Sequence, residues 1–201
     1  IVLKPDYRGH DRSEGDAAGG NFSPAYTYDV LNLVASIKRY SNANGERIGL
    51  LGHSMGGSVG LRALVAGADV KASVLAAGVV GSPEDLFYRW RYSSSPPPNF
   101  VTSLRQRLLA QFGEPSSGSG FWHNVSPLNY LAAVKGPVQI HHGTADGSVP
   151  KLFSDSLAAA LEQANRPHQY YVYEGGDHNF TGAARGPFLE RTLAFFNQHL
   201  K

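Results

Sequence analysis

Residues 47–67 read RIGLLGHSMGGSVGLRALVAG. A short apolar run, Ile48 to Leu51, ends in Gly52-His53-Ser54-Met55-Gly56, and a helical pattern from Ser58 to Ala66 follows at once. Few folds accept a serine between glycines at such a junction. A sharp strand-to-helix turn crowds and strains the backbone, so the neighbours of its central residue must lack bulky side chains. The turn lifts the serine hydroxyl above the sheet. It also aims the first N–H groups of the helix at the same place, where a developing oxyanion can be stabilised. Ser54 is therefore the candidate nucleophile. Gly56, Gly57 and Gly60 would let the helix pack close to the sheet. The pentapeptide alone is a weak signal; the strand before it and the helix after it supply the context. A phosphate-cradling turn would need G-x-x-x-x-G-K-[ST], which the chain lacks.

The rest of the sequence repeats the strand–helix alternation. Val30, Leu33, Val34 and Ile37 recur at helical spacing between Tyr28 and Tyr40. A strand is expected around Ala72 to Ala77, another from Val138 to His142, and a tyrosine-rich one from His168 to Tyr173. Phe153, Leu157, Ala160 and Leu161 mark one helix, and Leu189, Leu193, Phe196 and Leu200 a closing one. Ile1-Val2-Leu3, stopped by Lys4-Pro5-Asp6, reads as the end of a further strand, with residues 6–25 as loop. Such alternation predicts an α/β fold, a mostly parallel sheet with helices on both faces.

The 201 residues suffice for one domain with a sizeable core, 1–201. A net charge of +2 gives no electrostatic case for nucleic acid or an anionic membrane surface. The absence of cysteine excludes disulfides, thiolate metal sites and cysteine nucleophiles. There is no apolar run long enough for a membrane-spanning helix, and no visible signal peptide. Because the chain opens at Ile1 and its only methionine is Met55, a processed or truncated piece is expected. Compartment and oligomeric state are not written in the sequence.

One segment interrupts the alternation. Residues 81–130, a quarter of the chain, hold both tryptophans and nine of the 22 aromatic residues. They also carry Ser93-Ser94-Ser95-Pro96-Pro97-Pro98 and Glu114-Pro115-Ser116-Ser117-Gly118-Ser119-Gly120 as joints. An aromatic-rich insertion of this kind is expected to form a cap or lid over a site, with Trp90, Phe121 and Trp122 as candidate substrate-binding residues. The alternative is a surface excursion with its own small aromatic cluster.

Serine needs a base, and the base an orienting acid. In the chain order Ser…Asp/Glu…His that goes with a G-x-S-x-G elbow, the acid follows a later strand and the histidine a strand later still. Val138-Gln139-Ile140-His141-His142 runs into a loop holding Asp146, and Tyr170-Tyr171-Val172-Tyr173 into a loop holding His178. Parallel strands bring their C-terminal loops to one edge, where ligands of such sheets bind. Asp177 is the second choice of acid, but as neighbour of His178 it would struggle to reach Nδ1 in the ring plane. His141 and His142 are expected to be structural, and His53 to point away from the site. His10, His123, His168 and His199 lack the strand-end position. No histidines have zinc-ligand spacing with a third ligand, so neither metal nor cofactor is expected.

The motifs DYRGHDRSEG, GHSMGG, HHGTADGSVP and GGDHNF together resemble the α/β-hydrolase superfamily, in particular prolyl-oligopeptidase-like (peptidase S9-type) hydrolases and related esterases. They span residues 6–180, and the likeness is weakest over 81–130. Asp11 stands where the family often has glycine. The resemblance implies an α/β-hydrolase fold, a Ser54–Asp146–His178 triad and one oxyanion donor from the Met55 N–H. It also implies strands preceding Ile1, with the second oxyanion donor on a loop among them, so an N-terminally incomplete hydrolase is expected. The triad performs acyl transfer on a small-molecule ester or a peptide. An aromatic cap and the absence of a propeller sequence favour a carboxylic ester hydrolase, with an oligopeptidase or aminopeptidase-like enzyme second. A non-catalytic binding protein of this fold would usually have lost a triad member.

Overall fold

The computed structural model describes residues 1–17, 20, 23–90, 99–116 and 120–201. Four strands form one sheet: β1 (Gly49–His53), β2 (Ala72–Ala76), β3 (Val138–Gly143) and β4 (His168–Tyr173). They lie in the order β1-β2-β3-β4, and every pairing is parallel. β2 and β3 are buried at every residue. Their apolar sequences fit inner strands covered on both faces.

The register Leu75↔Ile140↔Tyr170 puts these side chains on one face. There they pack with Leu61 and Leu64 of helix α2 (Met55–Val65), Leu157 and Leu161 of α5 (Lys151–Gln163), and Val34 of α1 (Ala25–Ile37). Each such leucine, fully buried, contributes roughly 1.5–3 kcal/mol. On the opposite face Ala72 and Val74 meet Phe195 and Phe196 of α6 (Arg185–His199). The period-two alternation of β2 thus serves two helical layers at once.

Between β2 and β3 the chain forms a π-helical turn (Asp85–Arg89), α3 (Asn99–Phe112), α4 (Gly120–Val125) and a 3-10 segment (Pro127–Ala133). The first three build a small core of their own from Phe87, Leu108 and Trp122, while Leu131 of the 3-10 segment packs into the sheet core. The joint at Ser93–Pro98 and residues Ser117–Ser119 lie outside the described residues.

The expected strand at Ile1–Leu3 is absent. Ile1 is 80% and Val2 94% exposed. Three apolar residues make a strand only beside a partner that takes their backbone hydrogen bonds, and β1 pairs with β2 alone within the described sheet. β1 is accordingly an edge strand, with Leu51 52% exposed. Helix α1 begins at Ala25 rather than Tyr28, and its first turn buries Tyr26 and Thr27. Asp11 adopts φ 46°, a left-handed conformation that favours glycine and that aspartate tolerates better than most residues.

Candidate active site

Ser54 sits between β1 and α2 at φ 56°, ψ −120°. A non-glycine residue in such a conformation is strained by about 1–3 kcal/mol, and the surroundings must hold it there. They do so through two backbone hydrogen bonds: Ser54 N–H donates to Ala76 C=O at 3.0 Å, and Val79 N–H to Ser54 C=O at 3.1 Å. The flanking glycines are sterically necessary. A methyl group on Gly52 would strike the carbonyl of Gly56, and one on Gly57 the Cα of Gly78. Helix α2 starts at Met55, so the N–H groups of its first turn have no i−4 carbonyl within the helix, and that of Gly57 donates instead to Ser54 C=O at 3.0 Å.

The loop after β3 places Asp146 in the interior, its side chain 1% exposed. Oδ2 accepts from Nδ1 of His178 at 2.8 Å. Oδ1 accepts from the N–H groups of Ser148 and Val149, each at 2.8 Å. Burial by itself would raise the carboxyl pKa. The N–H groups of His142 and His178, then those of Val149 and Ser148, outweigh it and hold Asp146 well below the usual carboxylate range.

His178 is carried on the loop after β4, which is tied to the acid loop by three hydrogen bonds. Thr144 N–H donates to Tyr173 C=O and Ala145 N–H to Gly176 C=O, both at 2.9 Å, and Gly175 N–H donates to Thr144 Oγ1 at 2.8 Å. Gly143 and Gly176 approach so closely that a side chain on Gly143 would meet the Gly176 carbonyl. A fourth hydrogen bond runs to the elbow. His53 Nε2 lies 2.8 Å from the His178 carbonyl oxygen, and the two rings lie 4.7 Å apart. A carbonyl only accepts, so His53 carries its proton on Nε2. The residue beside Ser54 therefore grips the backbone of His178, contrary to the expectation that His53 points away. Ser54 Oγ makes no hydrogen bond among the described residues; catalytic hydrogen bonds commonly close only when substrate binds.

Asp177 turns elsewhere, its carboxylate accepting from the backbone and hydroxyl of Thr181. His141 is structural as expected. It is fully buried, with Nδ1 2.7 Å from the Tyr173 hydroxyl and Nε2 2.7 Å from Gln139 Oε1. His142 is likewise buried and hydrogen-bonded as expected, to Ser154 Oγ and Val149 C=O, and its Nε2 also stands 3.2 Å from Asp146 Oδ2. The only sequence signal for this was the spacing of four from Asp146 across a strand end, meaningful once the intervening turn is known to fold back.

The three aromatic candidates fare unequally. Trp122 is 0% exposed, its ring edge-to-face with Phe87 and Phe121, so it cannot contact substrate; its indole N–H donates to Gly113 C=O. That candidate is corrected: an aromatic in a small helical cluster supplies the core of that cluster. Phe121 is half-buried and stacks on Phe112 at 3.5 Å. Trp90 is half-buried beside Phe153 and donates its indole N–H to Ser148 C=O, two residues from Asp146.

A parallel sheet layered by helices, with a serine elbow and a buried acid–histidine pair on adjoining strand ends, has the architecture of the α/β-hydrolase fold. More narrowly, the chain belongs to the dienelactone hydrolase family, whose model matches residues 5–199. It is 24% identical over 180 residues to the uncharacterized peptidase YtmA of Bacillus subtilis (strain 168), covering 90% of this chain and 65% of that one. Among solved structures it is similar to a Mycobacterium tuberculosis puromycin-hydrolyzing peptidase, with TM-score 0.69 and 25% identity over 90% of this chain and 26% of that one. It also resembles the Pyrococcus furiosus esterase Pf2001, with TM-score 0.70 and 18% identity over 98% of this chain and 70% of that one. The chain spans less than two thirds of the length of the curated relatives it matches first.

Proposed function

We propose that the chain is a serine hydrolase in which Ser54, His178 and Asp146 act as a triad. The observation that carries this reading is the buried 2.8 Å bond between Asp146 Oδ2 and His178 Nδ1, on a loop gripped by the residue beside Ser54. In this reading Ser54 Oγ attacks a carbonyl carbon while His178 Nε2 takes its proton. The tetrahedral oxyanion is received at the α2 N-terminus, first by the Met55 N–H. Collapse expels the leaving group, protonated by His178, and leaves an acyl-Ser54 ester that water then cleaves. Asp146 holds the histidine tautomer and stabilises the imidazolium.

We further propose a carboxylic ester as the preferred substrate and residues 81–130 as a cap of the same domain. The aromatic content of that segment and its tie from Trp90 to the acid loop favour acyl or aryl groups. A peptidase is the second reading, favoured by the relatives that bear peptidase names.

A fluorophosphonate probe and intact-mass measurement test the nucleophile. One adduct on the chain, lost in Ser54→Ala, is expected; a folded chain that takes none overturns the proposal. Turnover of p-nitrophenyl acetate against an aminoacyl anilide separates the two substrate classes.

A further inference from the structure

His142, next to the last residue of β3, is fully buried. Its Nε2 lies 3.0 Å from the carbonyl oxygen of Val149 and 3.2 Å from Oδ2 of Asp146. A carbonyl and an ionised carboxylate can only accept, so Nε2 carries a proton: it donates to the Val149 carbonyl, while Oδ2 of Asp146 stands beside it at ion-pair distance. Nδ1 is 2.7 Å from the hydroxyl of Ser154 on α5. With the ring proton on Nε2, Nδ1 accepts and Ser154 donates. Ser154 is itself buried, so its hydroxyl has little else to serve.

Val149 closes the arrangement into a ring. Its N–H holds Asp146 Oδ1 while its C=O holds His142 Nε2. The carboxylate oxygen facing His142 is also the one that meets His178 Nδ1. A core histidine that only filled space could put its N–H on a backbone carbonyl alone; this one also stands against the acid. The charged groups around His142 are Asp146 and Asp155 of α5, and Asp155 is occupied by Lys151 and the Tyr170 hydroxyl.

We propose that His142 is a positioning residue for the acid–histidine pair: its Nε2–H, anchored on the Val149 carbonyl and standing against Oδ2, sets the plane of the Asp146 carboxylate, and Ser154 selects the tautomer that makes this possible. The proposal rests on the triad reading for its effect on rate, though not for its effect on the bond itself. Misplacement of one catalytic group by about 1 Å costs up to roughly 10²-fold in rate, which is the scale expected here.

Three variants test it. His142→Leu removes both ring nitrogens, His142→Gln returns an N–H donor near the place of Nε2, and Ser154→Ala removes the tautomer-setting hydroxyl. Two readouts are compared: the low-field proton resonance of His178 Nδ1–H in the unliganded chain, and kcat and KM on p-nitrophenyl acetate. In His142→Leu the resonance should move upfield or vanish by exchange, with kcat down about ten- to a hundredfold and KM within about twofold. Gln should restore most of both, and Ser154→Ala should show a partial loss. A folded His142→Leu with wild-type resonance and kcat overturns the proposal, as does a Gln variant no better than Leu. If His142→Leu does not fold, Ser154→Ala decides, an unchanged resonance and kcat being the overturning result. If the wild-type chain takes no probe at Ser54, the serine-hydrolase reading fails, while the resonance in the unliganded chain still tests His142.

Discussion

At Ser54 the chain holds a strained backbone by contacts from two neighbours, Ala76 and Val79, neither adjacent in sequence. Asp146 is held the same way, by two backbone N–H groups and two imidazoles. With its pKa held low by those donors, the carboxylate stays ionised throughout assays near neutrality. It should add no limb to the pH–rate profile above about pH 4, the ordinary carboxylate value. Asp146→Asn should lower kcat by about 10⁴-fold, since an amide can favour the wrong histidine tautomer. A loss under tenfold would argue against the assigned role. His53 supplies a separate test. His53→Ala deletes one hydrogen bond to the His178 backbone, worth about 1 kcal/mol, so labelling of Ser54 should slow about five- to tenfold. Labelling at the wild-type rate would show that the three hydrogen bonds to the acid loop suffice.

Strand β3 presents successive histidines to opposite faces of the sheet. His142 turns toward α5 and Asp146, while His141 turns toward α6 among Tyr171, Tyr173 and Phe188. Burial, with a lesser push from Arg191, lowers the His141 pKa to about 3 from 6.5. Its folded pKa is depressed, so as pH falls through 6.5 the unfolded chain takes a proton that the folded chain refuses until about 3. This contribution to stability is whole above pH 6.5 and declines across that window, by up to about 1.4 kcal/mol per pH unit. A lower urea midpoint at pH 5 than at pH 7, with the His141 ring resonances flat between them, is the expected pair of results. Titration of His141 near 6.5 would refute it. The β1–α2 elbow is tested by Gly57→Ala, whose new methyl must displace the Gly78 backbone. Overpacking of this kind costs about 1–3 kcal/mol, measurable by denaturation, and should slow labelling of Ser54 as the turn opens.

For the molecule as a whole, the Phe87–Leu108–Trp122 cluster is separate from the sheet core, and the 81–130 segment is joined to the rest by Leu86 and Trp90 beside Val149 and Phe153 and by Leu128 against the sheet core. Trp122→Ala should destabilise by about 3–5 kcal/mol because a fully buried indole leaves a large cavity. A change below about 1 kcal/mol would mean that the segment's core adds little to the stability of the chain. Trp90→Phe keeps an aromatic ring but loses the donor to Ser148. It should cost about 1 kcal/mol and alter KM more than the fold, since the lost bond lies beside the acid loop.

The sequence by itself determined the parallel α/β layering and the strand-end positions of Ser54, Asp146 and His178. Both are local properties: apolar periodicity sets which residues enter an element, and glycine-rich stretches set where the chain turns. Tertiary structure decided the rest. Whether Ile1–Leu3 could be a strand depended on a neighbour to take its hydrogen bonds. Whether Trp122 met substrate or core depended on how α3 and α4 fold around it. The histidines were the least legible, because an imidazole beside a strand end looks the same in sequence whether it faces a tyrosine, a carbonyl or a carboxylate. His53, His141 and His142 differ only in what the folded chain brings within 3 Å or so of their ring nitrogens, and hydrogen bonding is too short-ranged and directional for spacing alone to foretell.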